Sequence, residues 1–308
     1  MERMRNLREL RICSSLTLRG KKQLETARAE HLLPDNILHF KNFDKSFKCG
    51  FCMYADFESY IREDGEHVPS GFCAYTVSSY PEYESKPYVY SGQDDVMDHF
   101  FDYITREYYN NIKPILMMDE PMSPLTKDQL AAHDAATRCQ CCNFEFTTNN
   151  KKTAHHCHVT SAYLAPICNN CNLQLKNKKT STAKGKVEYF LPIFFHNLKG
   201  YDGHLLIKHM TKKFTTGKIN VVAQNSEKFI FFQVAAFRFL DSMQFLNASL
   251  DTLVSNLREE GLDKFIHTAR HFKAADLPLV TAKGVFPYEY MDSMDRLAET
   301  QLPPKRKF

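Results

Sequence analysis

The sequence has no tryptophan, so its aromatic content rests on 24 Phe and 15 Tyr. No run approaches the roughly 20 apolar residues needed to cross a bilayer, and no membrane partner is expected. The charged start, Met1 to Arg5, has no apolar segment behind it, so no secretory leader is expected either. No internal repeat is found. With ten cysteines and no such leader, the sequence points to an intracellular, reducing setting. There, clustered thiols serve as metal ligands more often than as disulfides.

What is present is a chain of 308 residues, 43% of them hydrophobic. That is enough for one large domain, or one domain with a small module. The net charge of +4 is uneven: Cys139 to Val187 holds seven lysines and a single acid, Glu145. A basic surface of this kind suits a polyanion such as nucleic acid, and a solvated lysine-rich loop would read the same way.

Residues 1–47 carry weak helical periodicity and no recognisable chemistry, and they read as a lead-in. Strands are predicted at Cys49–Phe57, Gly71–Ser79 and Tyr88–Tyr90, with turn chemistry over Glu63-Asp64-Gly65-Glu66. Apolar positions 96, 97, 100, 101, 104 and 108 predict a helix over Asp94–Ile112, and a second is expected over Thr126–Ala136. After a segment rich in Cys, His, Asn and Lys, the globular pattern resumes at Val187. Strands are predicted at Phe190–Phe195, Ile219–Ala223, Phe229–Val234 and Phe237–Leu240, and helices at Asp202–Met210 and Ser249–Arg258. This order predicts an α/β domain with a mixed sheet, split into 48–137 and 187–308 by an inserted module at 138–186.

Asp56-Phe57-Glu58 ends the first strand. Alternation places Asp56 and Glu58 on one face, where two acids repel unless a cation joins them. The triplet is thus a candidate Mg²⁺ or Mn²⁺ site, although many such triplets are only solvated acids. A second constellation, Phe195 to His204, follows a buried strand. Gly200 permits a tight turn and Asp202 opens a helix. Asn197, Tyr201 and Asp202 offer a hydrogen-bond donor, a stacking ring and a metal ligand, which are the functions needed to hold single-stranded nucleic acid.

These segments resemble the protein-primed B-family DNA polymerases of Polinton/Maverick-type transposons and related viruses. Tyr54 to Ser59 resembles their first exonuclease motif and Phe194 to Asp202 their second. Phe239 to Leu246, with Ser249 to Leu253, is similar to the segment that follows. Lys283 to Ser293 is similar to a later one. The order matches from about residue 32 onward. The resemblance implies an RNase H-like 3′→5′ exonuclease fold and a two-metal mechanism. Asp56, Glu58 and Asp202 would be ligands for Mg²⁺ or Mn²⁺. Asn197 and Tyr201 would hold the 3′ end, and Ser249 and Leu250 would contact single-stranded DNA and a terminal protein. It also implies primer-template DNA as partner, and the nucleus or a viral replication site as location.

Two parts of that pattern are not found. The family needs a Tyr-x-x-x-Asp motif on a helix. Tyr288 to Asp292 fits the spacing, but the resemblance places this segment ahead of the true motif. The paired aspartates of the polymerase palm are absent, so the sequence reads as a truncated product, an isolated domain or a decayed copy. Weak exonuclease activity or none is expected from it.

Within the inserted module, Cys139-x-x-Cys142 and Cys168-x-x-Cys171 supply four thiolates, which suit a closed tetrahedral Zn²⁺ site; Cys141 reads as a bystander. Cys49-x-x-Cys52 feeds a strand and reads as core or chance. Between the zinc pairs, His155-His156-Cys157-His158, with Asn172 beyond, resembles the ββα-metal (HNH-like) endonucleases of the phage recombination type. That likeness matches His156 to the general base, and His158 and Asn172 to other active-site positions. His155 stands where that family has a metal-binding Asp, and a neutral imidazole suits Mg²⁺ poorly. The module is therefore expected to be a structural, DNA-contacting element, with Lys176 to Lys186 along phosphates. Three readings follow: a polymerase exonuclease part, an endonuclease acting through the module, or a zinc-stabilised remnant that binds DNA or terminal protein without catalysis.

Overall fold

The computed structural model describes residues 49–307, apart from 63, 81, 84, 93–94, 176–178, 182–186, 215–218, 224–228, 286, 288–289, 292 and 302. The strands, in chain order, are β1 (Phe51–Ile61), β2 (His67–Ser78), β3 (Tyr88–Ser91), β4 (Lys152–His156), β5 (Tyr163–Cys168), β6 (Lys179–Ser181), β7 (Val187–Tyr189), β8 (Leu191–Phe195), β9 (Ile219–Ala223), β10 (Phe229–Val234) and β11 (Phe237–Asp241). The fold is mixed α/β. Two compact units divide the described residues: a larger one over 49–130, 156–164 and 177–307, and a smaller one over 131–155 and 165–176.

A seven-stranded sheet, ordered β3-β2-β1-β8-β11-β10-β9, forms the larger unit's frame. Its centre is parallel: β1 pairs with β8 through Met53↔Ile193, and β8 with β11 through Phe195↔Asp241. Both flanks are antiparallel. Alternation decides what each face does. Phe51, Met53, Ala55 and Phe57 of β1 are buried, as are Leu191, Ile193 and Phe195 of β8 and Phe237 and Phe239 of β11. The helices Val96–Arg106 and Asp202–Lys213 contribute Phe100, Phe101, Ile104, Leu206 and Met210 to the same core. Phe57 lies edge-on to Phe100 at 4.9 Å and stacks on Phe195 at 5.6 Å.

The register of β1 against β2 shifts between Glu58 and Ser59, the mark of a β-bulge, a feature common beside functional sites. Gly71 pairs with Glu58 there. A Cβ on Gly71 would come within 2.6 Å of the Tyr90 carbonyl oxygen in β3, so the edge strand can approach only a glycine.

The predicted helix over Asp94–Ile112 is present but not uniform. It is α-helical over Val96–Arg106 and widens to a π-turn over Glu107–Ile112. The wider turn brings Glu107 and Tyr108, neighbours in sequence, both into the interior. Glu107 accepts from Thr76 Oγ1 (3.3 Å), Asn111 Nδ2 (2.6 Å) and the Tyr83 hydroxyl. Tyr108 donates to the Tyr189 carbonyl oxygen at 2.6 Å.

In the smaller unit, Ile167 and the three cysteines 139, 168 and 171 form a core of their own. Lys152 Nζ closes its helix-to-loop corner by donating to the carbonyl oxygens of His133, Asp134 and Ala136 at 2.7–3.1 Å.

Candidate functional site

Asp56 and Glu58 lie on the open face of β1, two residues apart, as strand period requires. Loss of hydration raises the Asp56 carboxyl above its ordinary value, opposed by the Phe57 N–H and the nearby His196. Glu58 is raised by the same loss and by the negative charge of Asp56. Asp202, first residue of its helix and 3% exposed, is pushed up to about 7. Burial is the main cause, followed by repulsion from Asp56, with Glu58 adding to it. Asp202 Oδ1 is fully enclosed and has no hydrogen-bond partner. A buried carboxylate oxygen without a donor is costly. The three acids thus share one electrostatic environment, assembled from β1 and the turn after β8.

That turn is held by a second set of bonds. Asp241, at the end of β11 and 1% exposed, accepts from the backbone N–H of Asn197 (3.0 Å), Lys199 (3.2 Å) and Met243 (3.0 Å). Both nitrogens of His196 are engaged, Nδ1 with Ser242 Oγ and Nε2 with the Ala248 carbonyl oxygen, each at 3.0 Å. Asn197 itself is left-handed at φ 70°, a conformation asparagine tolerates better than most residues. Gly200, expected to be the turn-maker, has another task. Its missing side chain leaves room for the Asn197 amide, which an added Cβ would approach to 2.6 Å. The Asn197 side chain is exposed, and Tyr201 is partly buried immediately before Asp202.

Ser249 caps the Leu250–Glu259 helix by accepting from the Thr252 N–H at 3.2 Å. Leu250 is 59% exposed beside it. The His196–Ala248 bond fastens this corner to the Asn197 turn. On the same sheet face as Asp56, Tyr54 stacks on Phe194 (5.6 Å), which meets the exposed Phe245 edge-on at 6.4 Å. Sequence reasoning missed Asp241 and Tyr54 as parts of this region. Asp241 lay inside a quoted motif, but a buried acid that accepts three backbone bonds leaves no spacing signal.

In the smaller unit, Cys139, Cys142, Cys168 and Cys171 bring all four Sγ atoms within 4.8 Å of one another and can hold a metal such as zinc. Among the described residues this is the one group of three or more potential ligands that close; the carboxylates are set more widely. Backbone N–H groups point at the sulfurs: Cys168 N to Cys139 Sγ at 3.2 Å, and Cys142 N and Cys171 N to Cys139 Sγ and Cys168 Sγ at 3.5 Å. Burial alone would raise the Cys168 thiol, but hydrogen bonds from the Cys171 N–H, Asn150 and neighbouring thiols bring it to about 7. The Cys171 thiol is raised, first by burial and then by its sulfur neighbours. Cys49 and Cys52 join no such group; burial raises both, Cys52 to about 11.

His155 is buried, its Nδ1 3.1 Å from Asn172 Oδ1. Its ring is thus engaged by the very asparagine that the endonuclease likeness would place at the active site. In the larger unit His158 Nδ1 lies 2.6 Å from Asp119 Oδ1, and the rings of His156 and His158 are 4.5 Å apart. Of the lysines expected along phosphates, 176, 178, 184 and 186 fall outside the described residues, as does Asp292. No helix among the described residues is long and apolar enough to cross a membrane.

No family model, no curated protein and no solved structure matches the chain.

Proposed function

We propose that the larger unit is an RNase H-like 3′→5′ exonuclease of single-stranded DNA ends, part of a protein-primed B-family polymerase of the Polinton/Maverick kind. The observation that carries this reading is Asp202: an enclosed carboxylate with a partnerless oxygen, raised to about 7 by burial and by two further acids beside it. The Asp202 and Phe57 backbone N–H groups offset only part of that charge, and a divalent cation would offset the rest. Asp56, Glu58 and Asp202 are the residues that would hold Mg²⁺ or Mn²⁺, and oxygen donors suit these hard ions. When bound, the ions supply activation of water and neutralisation of charge on the leaving oxygen.

The chain's own side chains do the rest. Asn197, exposed on a turn fixed by Asp241, presents an amide to the terminal nucleotide. Tyr201 offers a ring and a hydroxyl beside Asp202, and Tyr54, Phe194 and Phe245 offer rings on which following bases can stack. His196 has both nitrogens engaged, so it acts by holding the turn and not as a base. Ser249 and Leu250 extend the surface toward the strand and a terminal protein.

The smaller unit is read as a structural Zn²⁺ module that contacts DNA. The His155–Asn172 pairing favours this over an endonuclease centre with His156 as base. Incubation with Mn²⁺ and a 3′-labelled single strand tests the main reading. The parent chain should release label slowly and Asp56→Ala should release none above background. Equal release by both would end the exonuclease assignment.

A further inference from the structure

The turn between β1 and β2 lies against the Asp202–Lys213 helix through the Glu66–Lys208 pair. It is braced internally: Arg62 N donates to the Glu66 carbonyl oxygen (3.0 Å), Gly65 N to that of Arg62 (2.9 Å), and Glu66 N to Asp64 Oδ1 (2.9 Å). Arg62 also pairs with Glu66 at 3.1 Å, and Glu66 with Lys208 of the Asp202–Lys213 helix at 3.3 Å. The next residue, His67, opens β2. Its Nδ1 lies 2.8 Å from the Tyr201 hydroxyl, and the two rings meet edge-on with centroids 5.3 Å apart. Tyr201 stands just ahead of the Asp202–Lys213 helix at φ −148° and ψ −76°, and the His67 contact engages its hydroxyl.

We infer that His67 is a positioning residue, acting through the Tyr201 hydroxyl to aim that ring at the terminal nucleotide beside Asp202. This rests on the exonuclease reading and names a residue that reading does not use. The bond also sets what Tyr201 can offer. A His67 that accepts at Nδ1 receives the phenolic O–H as a hydrogen bond and leaves the oxygen only its acceptor lone pair toward the strand. A His67 that donates from Nδ1 leaves the phenolic O–H free to donate to a phosphate or 3′-hydroxyl oxygen. The substrate group addressed is the terminal sugar-phosphate, whose chemistry is the same in every sequence, so base identity is not read here.

The test is a double-mutant cycle on the full chain, with Ca²⁺ replacing Mn²⁺ to keep the strand whole. Its probe is a fluorescein-labelled oligothymidylate with a free 3′ end. His67→Ala and Tyr201→Phe should each weaken binding roughly 3- to 10-fold, the range of one hydrogen bond. The double variant should be no weaker than Tyr201→Phe alone, because the partner is already gone. His67→Asn, whose side-chain amide can take the place of Nδ1, should restore most of the loss. Binding to a circular single strand, which has no 3′ end, should change little in any variant. Additive losses, or equal losses on the circular strand, would overturn the inference while leaving the exonuclease reading in place. A parent chain that does not bind the oligothymidylate would overturn both. A fully folded His67→Ala that binds as the parent does would overturn the inference alone.

Discussion

Asp202 is the residue at which site chemistry and stability meet. Its carboxyl sits near 7, well above the ordinary 3.8, so the folded protein binds that proton more tightly than the unfolded chain. Folding stability therefore falls as pH rises through the window from about 4 to about 7. At pH 8 without metal, Asp202→Asn should stabilise the fold by roughly 2–4 kcal/mol, on the order of three pKa steps reduced for relaxation. At pH 4 it should gain nothing. Thermal melts at the two pH values check this, and an equal shift at both would mean that the charge is compensated by some other group. Mn²⁺ should raise the melting temperature of the parent chain at pH 8 and leave the variant's unchanged. A residue's place was legible from sequence where strand period and helix start set it: Asp56 and Glu58 share one face of β1 and Asp202 opens its helix. Asp241 was not legible, because two of the three backbone N–H groups it accepts from belong to a turn more than forty residues away.

Strand and helix positions could be read wherever a period ran cleanly. β8, β10 and β11 fall where alternating or continuous apolar runs predicted them, and the Ser249 cap precedes its helix as capping chemistry requires. The π-turn at Glu107–Ile112 could not be read, since a buried glutamate at position 107 breaks the apolar pattern and two of its three donors, Thr76 and Tyr83, come from distant segments. The bulge at Glu58/Ser59 was equally hidden, because it depends on what faces it. Gly71→Ala tests that element. Its methyl would meet the Tyr90 carbonyl oxygen, and overpacking of this kind costs about 1–3 kcal/mol. Loss of β3 pairing, read as faster amide exchange at 88–91 and 71–74, should accompany a lower melting temperature. Unchanged exchange would show that the edge strand can move aside.

For the molecule as a whole, the two units differ in what maintains them. The larger has a continuous aromatic core, whereas the smaller has Ile167 and its cysteines. A core that small contributes little, and metal binding in zinc peptides supplies on the order of 10 kcal/mol. The chain should therefore carry one Zn²⁺. Chelation, or Cys139→Ser, should abolish amide protection across 139–155 and 165–172 while β1 and β2 stay protected. Loss of protection in both regions together would mean that the sheet depends on the metal. The four-cysteine spacing was plain in the sequence because ligand geometry leaves a local signature. The larger unit's split nature was visible only as a change of composition.

The order β1-β8-β11 at the sheet's centre has a consequence for biosynthesis. Met53 finds Ile193, and Phe195 finds Asp241, so the middle of the sheet closes only after residue 241 has left the ribosome. Until then the β1–β2 hairpin waits with an open edge, and pairings of this sequence range form slowly. Unpaired edges recruit neighbours. A cysteine-bearing segment able to fold early around its own ion would shorten the effective distance between β1 and β8, and the nascent chain would have fewer wrong partners to meet.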